Sequence, residues 1–275
     1  MKQSQPIIID SGIPGPILTI IWWTHGNEIC GVQAIDSLRS TLKLKRGKLF
    51  LMYGNIQAME RGVRQIDLNL NRMFRWEETF TQSEKETVEY KRSREIIPYL
   101  DLSVASLDLH SSPSIGSPAF IICEKNCSDV VKRFPFPIRC YGFAEMEPGG
   151  TDGYMNSRGK IGICVECGNH NDPDASDKAL MSVQKFLEYF DMIEKKEVDL
   201  WETQQQIFTA KYAYITKTNN FRVVDVLADF EDIRKGQLIW YDDKELVYAQ
   251  NTGKILFARN RNEIGVEGFA EIVTE

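Results

Sequence analysis

The sequence predicts an α/β domain followed by a smaller all-β unit. Over the first two hundred residues, short apolar runs alternate with amphipathic stretches, as strands and helices do around a parallel or mixed sheet. After about residue 200 the apolar runs become short and alternating, and glycine, aspartate and asparagine turns separate them. The stretch EKKEVDLWET at 194–203 is the expected join. We therefore predict one domain over residues 1–197 and a second over 198–275.

The strands of the first domain are indicated by apolar, β-branched runs that are too short for a helix. The run PILTIIWW at 16–23 is apolar throughout, which is typical of a strand buried on both faces. The predicted strands lie at 16–23, 48–55, 103–110, 118–123 and 160–167.

Three longer helices are predicted beside these strands. Residues 29–42 carry apolar side chains at three- and four-residue spacing, which gives one apolar stripe. In the second helix, Ser83 and Glu86 match a capping box, and Pro98 should mark the end. Ser176 is expected to cap the third helix, which carries Leu180, Val183, Leu187 and Phe190 on one face.

Composition excludes several classes of protein. The 275 residues include 33 basic and 39 acidic ones, a net charge of −6, so there is no basic face to favour nucleic acid. The N-terminal MKQSQPIIID has no apolar signal region, and no run approaches the roughly 20 apolar residues of a membrane span. We expect a soluble cytoplasmic protein that binds neither nucleic acid nor membrane.

The six cysteines admit two interpretations. Cys164 and Cys167 form a CxxC pair, and with Cys123 and Cys127 they could supply a thiolate metal site or a redox pair. Residues three apart on a straight strand point to opposite faces, however, and chelation normally needs a turn. Buried, reduced thiols are the favoured interpretation in a chain of this length.

Polar residues follow two of the predicted strands where ligands gather in open α/β sheets, at the carboxyl ends. His25 and Glu28 come directly after the first strand, and His110 ends the third, with Asp108 on the same strand face. Two histidines and a glutamate form a set that holds zinc and leaves the fourth position open. Because H-x-x-E is common by chance, histidines in two separate polar loops remain an alternative.

Glu166 lies among apolar residues in the last predicted strand of this domain. Burying a carboxylate is costly without a partner or a role, so Glu166 is a candidate general base. A structural ion pair with an arginine is the alternative. His170, which follows among polar residues, is expected to be a loop residue rather than a ligand.

Arginines accompany these groups. Arg61, Arg64 and Arg72 lie in the predicted loop after the second strand, and Arg158 precedes Glu166 by eight residues. Guanidinium groups bind carboxylates in bidentate geometry and stabilise oxyanions. Composition alone would make these arginines solvated surface charges.

The order of the motifs resembles the succinylglutamate desuccinylase/aspartoacylase family, relatives of the zinc carboxypeptidases. The resemblance covers roughly residues 15–190 and implies a carboxypeptidase-like mixed sheet flanked by helices, with a smaller β-rich C-terminal domain. The motifs that carry it are HGNE at 25–28, Gly54-Asn55 with Arg64, NRMF at 71–74, DLH at 108–110 and VECG at 165–168.

The resemblance also implies a reaction and a cofactor. One zinc ion per chain would be held by His25, Glu28 and His110, and the reaction would hydrolyse the amide bond of an N-acyl amino acid. Arg64 would polarise the scissile carbonyl and Glu166 would act as the base.

Substrate-binding residues follow from the same resemblance. Asn71 and Arg72 would hold the carboxylate of the amino-acid part, and Arg158 would grip a side-chain carboxylate. A leucine, Leu70, stands where the family often has aspartate before Asn-Arg, so the identity of the substrate stays open. Two other functions also stay open: a zinc carboxypeptidase acting on peptides and a non-catalytic metal-binding relative. The C-terminal unit could support a homo-oligomer.

Overall fold

The computed structural model describes residues 4–195, 204–224 and 227–275. The predicted boundary between residues 197 and 198 lies outside these ranges. The predicted fold class is confirmed, since helices flank a large mixed sheet of eleven strands and a smaller all-β sheet of three strands accompanies it.

All five strands predicted for the first domain are present, with ends that differ from the prediction by at most two residues. Two strands were missed, β1 and β6. The seven are β1 (Ile7–Asp10), β2 (Ile17–Trp22), β3 (Lys48–Tyr53), β4 (Ala105–Ser112), β5 (Ala119–Cys123), β6 (Ile138–Tyr141) and β7 (Ile161–Asn169).

Helices connect these strands, and 3₁₀ turns lie at Leu70–Arg72, Glu77–Thr79 and Lys125–Cys127. The α-helices are α1 (Cys30–Arg39), α2 (Ile56–Arg61), α3 (Gln82–Lys85), α4 (Val88–Leu102), α5 (Ser128–Val131), α6 (Phe143–Met146), α7 (Thr151–Asn156) and α8 (Ala175–Tyr189).

The C-terminal part contains strands only, within the residues described there. These are β8 (Gln206–Ile215), β9 (Phe221–Val223), β10 (Asp232–Ile233), β11 (Leu238–Asp242), β12 (Glu245–Tyr248), β13 (Gly253–Leu256) and β14 (Glu267–Thr274).

The order of the large sheet is β1-β3-β2-β4-β7-β5-β6-β8-β14-β13-β10. Strands β3, β2, β4 and β7 are mutually parallel, so their carboxyl ends lie at one edge of the sheet. Because β6 pairs with β8, the sheet continues from the first predicted domain into the second. The smaller sheet has the order β12-β11-β9.

The central strands are buried on both faces, as the continuous apolar run of β2 predicts. Leu18 and Ile20 belong to the core layer that contains α1 and α8. Ile21 belongs to the opposite layer, with Ile96 and Leu100 of α4. Helices on both faces therefore leave the strand ends as the place where polar groups can gather.

The predicted start and end of the second helix were both wrong. The capping box is formed by Thr81 and Glu84 on the short helix α3, not by Ser83 and Glu86. Helix α4 then continues through Pro98 to Leu102. A proline inside a helix loses one hydrogen bond, but Ile96 and Leu100 on either side of it are fully buried against the sheet. Their packing outweighs the local preference to stop.

Two further expectations concern the whole chain. All six cysteines are buried and carry free thiols, as the favoured interpretation predicts. Over the described ranges, none of the helices combines the length and apolar character needed to span a membrane. The predicted cap of the third helix was wrong, because Asp174 rather than Ser176 is the N-cap residue of α8, and Ser176 lies inside the helix.

Candidate metal centre and active site

The turn after β2 brings His25 and Glu28 to the edge of the sheet. Trp23 adopts a positive φ of 60°, which bends the chain directly after the strand. Gly26 packs so closely on the backbone of α2 that a Cβ atom at this position would collide with Ala58 and Met59. Its N–H group donates to the carbonyl oxygen of Arg64 over 3.1 Å. The turn needs a glycine and is tied to the loop that carries the predicted catalytic arginine.

Three buried side chains converge at this edge. The Nδ1 atom of His25 lies 2.7 Å from Oε1 of Glu28, and Nδ1 of His110 lies 2.9 Å from Oε2 of the same carboxylate. One donor atom from each residue lies within 4.8 Å of the others. The parallel pairing of β2 with β4 places the end of one strand beside His110 of the other. The three predicted metal ligands are therefore brought together.

Oxygen atoms orient both imidazole rings from behind. Nε2 of His25 lies 2.9 Å from Oδ1 of Asn69, and Nε2 of His110 lies 3.3 Å from Oδ1 of Asp108. The Asp108 carboxylate also accepts hydrogen bonds from the hydroxyl groups of Thr24 and Thr151. Metal-binding histidines typically have such a partner on the ring nitrogen that faces away from the ion.

The electrostatics of this cluster suit a cation. Burial and the Arg64 guanidinium lower the pKa of His25 to about 4, so its imidazole is neutral at pH 7. When Nε2 donates to Asn69, Nδ1 of His25 keeps a lone pair facing the Glu28 carboxylate, which is favourable only with a cation between them. Burial lowers the pKa of His110, but Cys164 and the Asp108 and Glu28 carboxylates raise it well above its ordinary value. A divalent cation would take the place of that proton.

Glu166 of β7 is the next group in the cluster. Its pairing partner in the register is His110 of β4. The carboxylate is buried, and its Oε2 atom has no hydrogen-bond partner among the described residues. Burial raises the pKa of Glu166 to about 8, and the Glu28 carboxylate adds to this. The alternative, a structural ion pair between Glu166 and an arginine, is not found among the described residues.

A second group of potential ligands consists of His110, Cys164 and Glu166. Burial raises the pKa of the Cys164 thiol, whereas a metal ligand must be a thiolate. The group formed by His25, Glu28 and His110 fits a metal better. Cys164 and Cys167 lie on a regular strand, so the structure gives no support to a four-thiol site.

The loop between α2 and the 3₁₀ turn is anchored by a buried carboxylate that the sequence did not single out. Glu89 of α4 accepts hydrogen bonds from the backbone N–H groups of Ile66, Asp67 and Leu68 at 2.7–3.2 Å. The side-chain amide of Asn55 donates to the same carboxylate over 2.8 Å. Glu89 thus holds the segment on which the predicted catalytic and substrate-binding residues lie.

Arg64, Asn71 and Arg72 all reach the site. Nη1 of Arg64 lies 3.2 Å from Oε1 of Glu28. Nη2 of Arg72 forms an ion pair with Glu147 at 2.7 Å and lies 3.9 Å from Glu267.

Arg158 lies elsewhere. Its guanidinium group stacks on the ring of Tyr154 at 3.5 Å and lies 4.6 Å from the centre of the Trp76 ring. Its Nε atom lies 3.7 Å from a carboxylate oxygen of Asp101. The predicted grip on a substrate carboxylate is not supported by this placement, because Arg158 lies outside the cavity at the cluster. The eight-residue spacing to Glu166 carried no information about the direction of the side chain.

A cavity opens beside the cluster and encloses about 680 Å³, including the part open to solvent. The predicted ligands, Glu166, Arg64, Asn71 and Arg72 line it, and so do residues that sequence analysis missed. The missed lining residues include Ser111, Glu147, Asp152, Phe257, Arg259 and Glu267.

The last three of these residues come from the C-terminal part of the chain. No motif pointed to them, because they reach the cavity only through the pairing of β8 with β6 and of β14 with β8.

His170 is a loop residue, as predicted, but it is not isolated from the site. Its Nδ1 atom lies 2.8 Å from the hydroxyl oxygen of Ser111, next to His110.

Comparisons with known proteins agree with this geometry. The model of the succinylglutamate desuccinylase/aspartoacylase catalytic domain matches residues 14–190. A probable aspartoacylase from Prochlorococcus marinus (strain MIT 9312) is 24% identical over 200 residues, covering 66% of this chain and 65% of the relative. An N-acyl-aromatic-L-amino acid amidohydrolase (carboxylate-forming) from Xenopus tropicalis is 30% identical over 172 residues, covering 55% of this chain and 54% of the relative.

The fold has close counterparts among solved structures. The crystal structure of succinylglutamate desuccinylase from Vibrio cholerae superposes with a TM-score of 0.79, covering 98% of this chain and 85% of that one at 16% identity. At this identity the similarity concerns the fold. The family model spans well over half of the chain and includes the three clustered ligands and Glu166. The chain therefore belongs to the succinylglutamate desuccinylase/aspartoacylase family.

Proposed function

We propose that this chain is a zinc-dependent hydrolase that cleaves the amide bond of an N-acyl amino acid. The observation that carries the proposal is the convergence of His25, Glu28 and His110 within 4.8 Å, with Glu166 beside His110. The named activities of the relatives support the substrate class.

The donor set fits zinc. Two imidazole nitrogens and one carboxylate leave a fourth position for substrate or water, as in catalytic zinc sites. Asn69 lies within hydrogen-bond distance of Nε2 of His25, and the Asp108 carboxylate lies 3.3 Å from Nε2 of His110, so in both rings Nδ1 faces Glu28. Bound zinc would supply Lewis acidity, which polarises an amide carbonyl and makes water a better nucleophile at neutral pH.

Glu166 is the proposed base. Its Oε2 atom has no hydrogen-bond partner in the described part of the chain, so it can accept a proton from an attacking water molecule. Without a metal, burial raises the pKa of Glu166 to about 8, and a nearby cation would favour the ionised form that accepts the proton. The resulting carboxyl group can then donate this proton to the leaving nitrogen. Proton acceptance and proton donation are both assigned to this one group.

Arg64 and the wall of the cavity complete the proposal. The Arg64 guanidinium lies beside Glu28, where it can stabilise negative charge that develops on the substrate carbonyl oxygen. Asn71 and Arg72 are proposed to contact the amino-acid part of the substrate from the cavity wall.

Elemental analysis tests the metal site. We expect about one zinc per chain in the purified protein and its loss in His110→Ala. His170→Ala is the matched control, because His170 contacts Ser111 rather than the three ligands, and it should retain the zinc. Equal zinc content in all three proteins, or none in the wild type after zinc is added, would exclude this site.

Substrate assays separate the remaining possibilities. We expect the zinc-loaded protein to hydrolyse at least one member of a panel of N-acetyl and N-succinyl amino acids, and short peptides to be poor substrates. Preferential release of C-terminal residues from peptides would favour a carboxypeptidase. Stoichiometric zinc without turnover of either class would favour a non-catalytic binding protein.

A further inference from the structure

Arg259 stands out among the cations of the cavity because it lacks a partner. It lines the cavity, and its side chain forms neither a hydrogen bond nor an ion pair within 4.0 Å with any residue in the described ranges. Burial and the nearby Arg64 lower the pKa of Arg259 to about 10, so the guanidinium group is still charged at pH 7. Arg259 is part-buried and faces the cavity, so a ligand anion bound there can supply the counter-charge that the described residues do not.

The segment that carries Arg259 is fixed at both ends. The Phe257 N–H group donates to the buried Asp229 carboxylate over 2.8 Å, and the Ser112 hydroxyl group donates to the same carboxylate over 2.9 Å. Asp229 therefore ties this segment to β4, two residues beyond His110. At the other end, the backbone groups of Arg261 and Phe221 exchange two hydrogen bonds at 3.0 and 3.1 Å. Arg259 lies between these anchors and is held toward the metal centre.

Arg72, unlike Arg259, has a carboxylate partner that balances its positive charge. Glu147 pairs with Arg72 at 2.7 Å. Glu267 lies near both arginines, but burial and the Glu147 carboxylate raise the pKa of Glu267 well above its ordinary value. This shift favours the uncharged form of Glu267, and Glu267 forms no ion pair with Arg259 within 4.0 Å. Arg72 offers hydrogen-bond donors, whereas Arg259 offers net positive charge.

We propose that Arg259 recognises the carboxylate of the substrate. This inference rests on the proposed function and assigns the charge selectivity of the site to the C-terminal part of the chain. Arg72, neutralised by Glu147, contributes donors that an uncharged amide oxygen can use equally well. Arg259 thus performs the anion recognition that the family resemblance implied for Arg72 and Arg158.

A comparison of two substrates tests the assignment. The best substrate of the N-acyl amino acid panel and its α-carboxamide are assayed with wild type, Arg259→Gln, Arg259→Lys and Arg72→Gln. In the wild type, kcat/KM for the carboxylate should exceed that for the carboxamide by roughly 10- to 100-fold, the value of a charge-assisted hydrogen bond. Arg259→Gln should remove this preference mainly through KM, and Arg259→Lys should restore part of it.

The controls separate charge recognition from general damage. Arg72→Gln should lower kcat/KM for both compounds to a similar extent and keep the preference. Arg234→Gln, at an exposed position of the same C-terminal part, should leave both values unchanged. A preference that survives in Arg259→Gln, or that disappears in Arg72→Gln instead, would overturn the assignment.

A binding measurement keeps this test independent of turnover. If the wild type hydrolyses no member of the panel, the proposed function fails. Isothermal titration of the zinc-loaded wild type and Arg259→Gln with N-acetyl-L-aspartate, N-acetyl-L-phenylalanine and N-succinyl-L-glutamate then decides the role of Arg259. Binding by the wild type but not by Arg259→Gln would support the role of Arg259 in carboxylate recognition. Equal binding by both proteins, or binding by neither, would refute that role.

Discussion

Glu166 and His110 are direct neighbours across the parallel pair of β4 and β7. The proposed base and one proposed metal ligand are thus placed by the register of two central strands rather than by a flexible loop. A shift of one residue would turn Glu166 to the other face of the sheet, so the register determines whether the two groups can cooperate.

Glu166→Gln separates metal binding from proton transfer. The amide is close in shape to the carboxylate but cannot accept the proton, so we expect unchanged zinc content and a fall in kcat of roughly 10²- to 10⁴-fold. Elemental analysis and steady-state kinetics on the same preparation provide the measurement. Glu78→Gln, at an exposed position, is the control and should behave like wild type. Near-normal turnover by Glu166→Gln would remove Glu166 from the role of base.

The raised pKa of Glu166 predicts a pH dependence of stability in the metal-free protein. The folded state holds this proton up to about pH 8, whereas an unfolded glutamate loses it near the ordinary value of 4.5. Between these limits the folded state binds more protons, so the free energy of unfolding should fall as the pH rises from about 4.5 to about 8.

Thermal unfolding of metal-free wild type and Glu166→Gln across this pH range checks the effect. The wild type should lose stability relative to the variant as the pH rises. Added zinc should reduce the difference, because a nearby cation favours the ionised carboxylate. Parallel curves for the two proteins would show that Glu166 titrates normally.

Glu89→Gln should weaken the loop that carries Arg64 and Arg72. The glutamine cannot accept all the hydrogen bonds that the carboxylate receives from the Ile66, Asp67 and Leu68 N–H groups. We expect a loss of about 2 kcal/mol in the free energy of unfolding and a lower kcat/KM. Urea denaturation and kinetics measure both.

The control for Glu89→Gln lies at the exposed end of α3. Glu86→Gln removes a carboxylate that is largely accessible to solvent and should change neither quantity appreciably. If Glu89→Gln matched this control, the loop would depend on contacts other than the Glu89 carboxylate.

Arg158→Gln tests the one site residue that the structure places elsewhere. Stacking on Tyr154 should contribute about 1 kcal/mol at most, so a small fall in Tm is expected. KM for every N-acyl amino acid should stay unchanged, because Arg158 lies outside the cavity. A selective rise in KM for substrates with a second carboxylate would restore the predicted role.

Local signals in the sequence were sufficient for much of the fold. Five strands were found because each is a short apolar run, and their alternation with helices indicated a mostly parallel or mixed sheet. The end of α4 was missed because the helix passes through Pro98, where burial of Ile96 and Leu100 outweighs local propensity. The start was missed because the capping box opens the separate short helix α3, and Thr87 caps α4.

Some residues of the candidate site could likewise be predicted from the sequence, and others could not. His25, Glu28, His110 and Glu166 were predictable because each lies at or near the carboxyl end of a strand, and such ends meet at one edge of a parallel sheet. Glu89 was not predictable, since a glutamate in a charged helix gives no local sign that it will be buried.

The sequence by itself determined which residues lie at the strand ends, because hydrophobic periodicity is a property of neighbouring residues. Only the tertiary structure decided which arginine faces the cavity. Arg158 turns to Tyr154, while Arg259 arrives from a segment about 150 residues after His110, positioned by Asp229 and Ser112. Contacts between such distant segments depend on the order of strands in the sheet and on the packing of the C-terminal part, and no local pattern encodes either.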